Sequence, residues 1–251
     1  MKQINLMDDS NQDKLFVLIY GASGTGKTEL IGTLGELGKV LVVDIDKGYK
    51  TLKFSKRVAP YKNNLVVVSF DQFKDLDSLY KLAHANDPKQ WSRAIGVEEQ
   101  FDWIVLDTWS EMQWQMSEKL REDKDMSGKG LDYRANLQIQ HWGALTDLNK
   151  LSVEAFRECT TSSTDRPVNI VITMQETMSK DDISGQIFGG PAIHGKLVNE
   201  MPAYFDVVIH TSVDLQGNFV ATTKPKGKWP AKTRIKSNEE YKNPYAREIF
   251  N

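Results

Sequence analysis

Gly21-Ala22-Ser23-Gly24-Thr25-Gly26-Lys27-Thr28 fits the pattern G-x-x-x-x-G-K-[ST]. Glycines at this spacing let consecutive backbone N–H groups converge on phosphate oxygens, and a helix starting at the end of the loop adds its dipole. Lys27 is expected to reach the β- and γ-phosphates of ATP, and the Thr28 hydroxyl to ligate Mg2+. A site of this kind needs an acidic residue at the end of another central strand, to hold the metal through water. Asp107 is the candidate. It ends the run Trp103-Ile104-Val105-Leu106 and, with Thr108, could alternatively cap the next helix.

These residues need strands behind them. Leu15-Phe16-Val17-Leu18-Ile19-Tyr20 is a continuous apolar run, as a strand buried on both faces requires. It leads into the Gly-rich loop, and a helix is expected from Lys27 to Leu37. Further buried strands are expected at Val40–Val43, Leu65–Val68, Trp103–Leu106 and Val168–Thr173. A helix is expected over Asp71–Ala83. One more apolar stripe runs Trp109, Met112, Met116 and Leu120, and another runs Leu145, Leu148, Leu151, Ala155 and Cys159. Val207–His210 and Phe219–Thr222 flank Gln216-Gly217-Asn218 and read as a hairpin. The expected fold is therefore α/β, with a mainly parallel sheet flanked by helices and an antiparallel C-terminal hairpin. Residues 1–13 are expected as a flexible N-terminal segment, 14–236 as the core and 237–251 as a C-terminal tail. The stretches 46–64, 121–136 and 174–200 read as long loops.

The 251 residues carry 32 Lys+Arg against 34 Asp+Glu, a formal charge of −2. Such a balance argues against nucleic-acid binding by bulk charge. The average conceals segregation, however. Basic residues gather in 47–62 and 224–236, and acids in 98–125 and 176–182. The single Cys159 excludes an internal disulfide framework. No run approaches the roughly 18–20 apolar residues of a membrane span, and the start lacks a signal peptide's apolar core. A cytoplasmic protein without membrane contact is expected.

In their order along the chain, the motifs resemble the RecA-like P-loop ATPases, most closely the short phage-encoded single-strand-annealing and recombination ATPases (Sak-type) built on the RecA core alone. The resemblance covers residues 14–236 and implies several roles. Val42-Val43-Asp44-Ile45-Asp46 falls on the family's acidic pair, which makes Asp46 the base that polarises the attacking water; the family's usual residue there is Glu, one carbon longer. Gln175, at the end of the fifth strand, falls on the switch residue that senses the γ-phosphate and starts a DNA-contacting loop. The following Gly-containing stretch to Gly190 matches that loop in layout, although Glu176, Asp181 and Asp182 outnumber Lys180. Lys224 and Lys226 fall on a Lys-x-Lys pair that crosses the subunit interface to a neighbour's ATP, stabilising charge as an arginine finger does. The family's first DNA loop falls near Tyr133-Arg134.

Lys47, Lys50, Lys53 and Lys56 recur every three residues. On a helix they would form a basic face, either merely solvated or a phosphate track for single-stranded DNA. Trp91, Trp103 and Trp142 are expected in the core. The four histidines lack ligand spacing, so no metal beyond Mg2+ is expected.

The resemblance implies an ATP-hydrolysing recombination protein acting on single-stranded DNA by annealing or strand pairing. Its expected partners are single-stranded DNA, other copies of itself in a ring or filament, and a single-strand-binding protein. The other readings are an ATPase assembly or packaging factor that never touches DNA, and a nucleotide kinase. The kinase lacks support, because no arginine cluster could form a lid.

Overall fold

A strand covered on both faces needs apolar side chains at every position, and the central strands meet that condition. The computed structural model describes residues 14–123, 139–161, 164–180, 185 and 187–251. In chain order the elements are β1 (Phe16–Gly21), α1 (Lys27–Gly32), β2 (Val40–Asp44), α2 (Lys50–Phe54), β3 (Leu65–Ser69), α3 (Leu76–Ala85), α4 (Pro88–Ile95), β4 (Trp103–Asp107) and α5 (Trp109–Asp123). Then follow α6 (Ile139–Glu158), β5 (Asn169–Lys180), β6 (Ile187–Pro191), α7 (Leu197–Glu200), β7 (Val207–Val213), β8 (Phe219–Thr222), β9 (Lys232–Thr233), β10 (Glu240–Lys242) and α8 (Ala246–Phe250).

The sheet order is β10-β8-β7-β1-β5-β4-β2-β3, with β6 paired to β5 and β9 to β7. From β7 to β3 all neighbours are parallel, while β8 and β10 are antiparallel. β1 therefore lies between β5 and β7, and the loop after it opens where their C-terminal ends converge.

Successive side chains of a strand face opposite ways. Phe16, Leu18 and Tyr20 pack with Leu106, Ile172, Trp109, Met112 and Phe156 on one face. Val17 and Ile19 pack with Val42, Val171, Leu30, Ile31, Leu52, Ala246 and Ile249 on the other. Asn86 is fully buried at the end of α3. It donates to Phe101 O (2.9 Å) and accepts from Phe101 N–H (3.1 Å) and Trp91 Nε1–H (3.2 Å).

Several expectations change. β5 does not end at Thr173: it runs on to Lys180 and pairs antiparallel with β6. The stretch expected as a Gly-containing loop is thus a β-hairpin arm, and Asp181 and Asp182 lie outside the described residues. The basic stretch 47–62 is not one helix. Lys47 has φ 64°, α2 holds five residues, and Ala59–Asn64 is a 3-10 turn. The helix expected over Asp71–Ala83 is a 3-10 turn at Phe73–Asp75 followed by α3. The segment expected as a tail contributes β10 to the sheet and α8, with Ala246 and Ile249, to the core. Trp91 and Trp103 are buried as expected, but Trp142 is 39 % exposed and stacks on His194 at 4.3 Å. Residues 1–13 and the pair Tyr133-Arg134 lie outside the described residues. Among the described residues no helix is long and apolar enough to cross a membrane.

Candidate active site

The phosphate loop is shaped by its neighbours. A Cβ on Gly21 would lie 2.3 Å from the Thr211 carbonyl oxygen on β7, so only glycine lets the two strands approach. Gly26 has φ 86°, and a Cβ there would meet the Phe219 ring at 2.9 Å. The Thr25 hydroxyl bonds the Thr211 hydroxyl at 2.7 Å, fastening the loop to β7. These contacts shape a cavity of about 310 Å³ lined by Ser23, Gly24, Gly26, Lys27, Thr28, Asp46, Asp107, Gln175 and Phe219. A neighbouring cavity of about 530 Å³ lies beside Trp114, between Ile45, Phe70 and Phe73; none of the candidate site residues lines it.

Lys27 is buried, and its ammonium turns back onto its own loop. It donates to Gly21 O at 2.9 Å and Ala22 O at 2.8 Å, with Gln175 Oε1 at 3.4 Å. Burial lowers its pKa, and Asp107, Glu176 and Asp46 push it back up. Thr28 Oγ1 donates to Asp107 Oδ2 at 3.0 Å. Asp107 also accepts from Thr173 Oγ1 on β5. Burial raises the Asp107 pKa to about 6; the Thr173 hydroxyl opposes the shift and Asp46 adds to it. The Asp107–Thr108 peptide bond is cis.

Asp46 is exposed and sits at the cavity wall. Its neighbour Asp44 is buried and shapes the turn, accepting from Gly48 N–H at 2.9 Å and Tyr49 N–H at 3.4 Å. Asp46 Oδ1 also accepts from Gly48 N–H, at 3.0 Å. Gln175 is held by its own backbone, whose N–H donates to Ser110 Oγ at 3.0 Å.

The structure therefore brings together Gly21–Thr28, Asp46, Asp107 and Gln175. It does not bring Lys224 and Lys226 to the same cavity. Both are exposed, and Lys226 Nζ pairs with Glu240 at 3.0 Å. Thr173, Thr211 and Phe219, which shape or line the site, were not anticipated from the sequence. A threonine ending the apolar run Ile170-Val171-Ile172 was the one available signal for Thr173.

The donor set suits a small hard cation. Thr28, half-buried, offers one hydroxyl, and the buried Asp107 offers one carboxylate. Among the described residues no cluster of three or more His, Cys, Asp or Glu could hold a metal alone. Mg2+ takes one or two carboxylates and fills its remaining positions with water and phosphate oxygens.

The family model described as an AAA domain matches residues 13–235. Among solved structures, the chain is similar to a prototypical ATPase from the type III secretion system of pathogenic bacteria. The identity is 13 %, the match covers 80 % of this chain and 51 % of that one, and the TM-score is 0.44. No curated protein matches the chain. Since the AAA domain model spans nearly the whole described core and includes every residue that lines the phosphate cavity, the chain belongs to the AAA domain family and is a P-loop ATPase.

Proposed function

We propose that the chain is an Mg2+-dependent ATPase that acts on single-stranded DNA, promoting annealing or strand pairing as a ring or filament, in the manner of the phage-encoded recombination ATPases it resembles. The observation that carries this reading is the course of β5. One continuous strand bears Gln175, in reach of Lys27, and then the hairpin arm with exposed Met178 and Ile187. Lys228 and Trp229 of the basic segment lie against this arm, at Met178 and Gly189. A shift at the phosphate end of β5 would pass along its backbone into a surface with apolar and basic side chains, the combination that stacks bases and tracks phosphates.

Thr28 and Asp107 would hold Mg2+, which supplies positive charge to the phosphate oxygens when bound. Lys27 exchanges its carbonyl partners for the γ-phosphate, whose charge it stabilises. Asp46 would accept a proton from the water that attacks the γ-phosphorus; as that P–O bond forms, the bond to the β,γ-bridging oxygen breaks and ADP leaves with that oxygen, giving inorganic phosphate. The Gln175 amide can accept from that water and donate to a phosphate oxygen. Lys224 and Lys226 of a neighbouring copy complete the charge stabilisation. A single-strand-binding protein is the expected recruiting partner.

The test is ATP turnover with and without single-stranded DNA, with Lys27→Ala as control. Wild-type turnover should rise with DNA and the variant should show none. Turnover indifferent to DNA over a range of lengths would overturn the DNA reading, and an absent gel shift with an ATP analogue would favour an assembly factor.

A further inference from the structure

His210 has no part in the chemistry above, yet it is 5 % exposed at the centre of a polar cluster. It lies on β7, paired in register with Tyr20 of β1. Its Nε2 is 2.9 Å from Glu176 Oε2. Its ring stacks on Trp229, with centroids 4.6 Å apart and planes 13° off parallel. Tyr20 closes a third side at 5.0 Å and donates its hydroxyl to Pro230 O at 2.6 Å. Burial lowers the His210 pKa and Glu176 opposes that shift. A neutral imidazole carrying its proton on Nε2 donates to the carboxylate.

Each contact joins a different segment. Glu176 follows Gln175 on β5, and its carboxylate acts on the Lys27 ammonium. Trp229 closes a four-residue turn: its N–H donates to Lys226 O at 3.1 Å, and Lys226 N–H donates to Trp229 O at 3.2 Å. The indole also covers Gly189 of β6, where a Cβ would lie 2.4 Å away. A leucine could fill the space of His210. It could not bond a carboxylate at one edge while presenting a flat face to an indole.

We propose that His210 is a positioning residue which, bonded to Glu176 at its edge and stacked on Trp229 at its face, ties the Gln175 end of β5 to the turn that begins at Lys226, two residues after Lys224. The inference rests on the ATPase reading above and on the roles given there to those lysines. When Lys27 turns from Gly21 and Ala22 to a phosphate, the charge facing Glu176 changes. The imidazole passes that change to the indole, and so to the lysines offered to a neighbour.

The experiment uses the full chain with Mg2+ and a non-hydrolysable ATP analogue. Binding is read by calorimetry, and the environment of Trp229 by the emission that Trp229→Phe removes. In wild type the analogue should change that emission. His210→Leu should bind the analogue within about twofold, lose the emission change, and lower kcat about tenfold with KM unchanged. Glu176→Gln, at a partly exposed position, should do the same. Trp229→Leu, which removes the stacking face, should lower kcat as His210→Leu does. If His210→Leu or Glu176→Gln retains both the emission change and kcat, the proposal is overturned. If wild type fails to bind the analogue, or Lys27→Ala turns over ATP, the ATPase reading itself fails, and the proposal with it.

Discussion

Thr28 Oγ1 donates to Asp107 Oδ2 across 3.0 Å, joining the start of α1 to the end of β4 through side chains 79 positions apart in sequence. The bond places a hydroxyl and a carboxylate side by side in the phosphate cavity, and it gives the buried Asp107 carboxylate a donor.

That burial gives stability a specific pH dependence. The unfolded chain releases the Asp107 proton near the ordinary value, about 4, while the folded chain holds it to about 6. Between those values the native state binds more protons, so its stability falls as pH rises. Above about pH 6 the full penalty is present, on the order of 2–3 kcal/mol. Asp107→Asn keeps one oxygen for Thr173 or Thr28 and removes the charge. In calorimetric scans without nucleotide, its Tm should match wild type near pH 4 and exceed it at pH 8, while turnover drops about hundredfold. A Tm difference that does not vary with pH would contradict the assignment.

Asp46 should show the reverse pattern, with little effect on stability and a large one on rate. It is exposed at the cavity wall and, among the described residues, accepts a hydrogen bond from the Gly48 amide of its own turn. Asp46→Asn should bind the ATP analogue as wild type does and lower kcat about hundredfold. Asp46→Glu keeps the carboxylate on a side chain one carbon longer and should match or exceed wild type. Equal kcat for wild type and Asp46→Asn in steady-state assays would remove Asp46 from the role of base.

The parts of this site legible in the sequence are those set by local pattern. The glycines and Lys27 follow from eight consecutive residues, and Asp107 from the four apolar residues before it. What stayed hidden depends on strand order. Thr173 reaches Asp107 because β5 lies beside β4, and Thr211 reaches Gly21 and Thr25 because β7 lies beside β1. Glu176 read as one acid in a loop, because polar residues after Gln175 break the apolar run that marks a buried strand. The antiparallel partner β6 supplies hydrogen bonds that no run of side chains announces. α8 was missed because five residues with two buried side chains show too little periodicity to register.

The C-terminal segment should be indispensable for folding, although its sequence reads as a tail. Ile249 is 1 % exposed, and Ala246 N–H donates to Thr33 Oγ1 at 2.9 Å. Arg57 donates to Asn243 O at 2.9 Å and stacks on Tyr245. Asn243 Oδ1 accepts from the Phe219 N–H at 3.0 Å, next to the phosphate cavity. Ile249→Ala should cost about 2–4 kcal/mol in urea unfolding, and a chain ending at residue 236 should not fold cooperatively. A truncated chain with wild-type urea midpoint and analogue affinity would show that the segment is dispensable.

Lys224 and Lys226 are exposed and do not line their own chain's phosphate cavity, so the effect on hydrolysis proposed for them would come through a neighbour. Lys226 pairs with Glu240, with side chains 70 % and 39 % exposed. A pair so exposed is worth at most about 1 kcal/mol, small enough to be exchanged for a neighbour's phosphate. The double variant Lys224→Ala, Lys226→Ala should therefore bind the ATP analogue normally and lose turnover. Lys27→Ala should lose turnover for the opposite reason, with intact lysines to lend. In an equal mixture assembled head to tail, half the subunits keep Lys27, and half of their neighbours keep the lysines, so activity should recover to about a quarter of wild type. Pre-formed assemblies mixed without exchange should stay inactive, which separates subunit sharing from a contaminating ATPase. A mixture that remains silent after dissociation and reassembly would place the lysines outside the catalytic site.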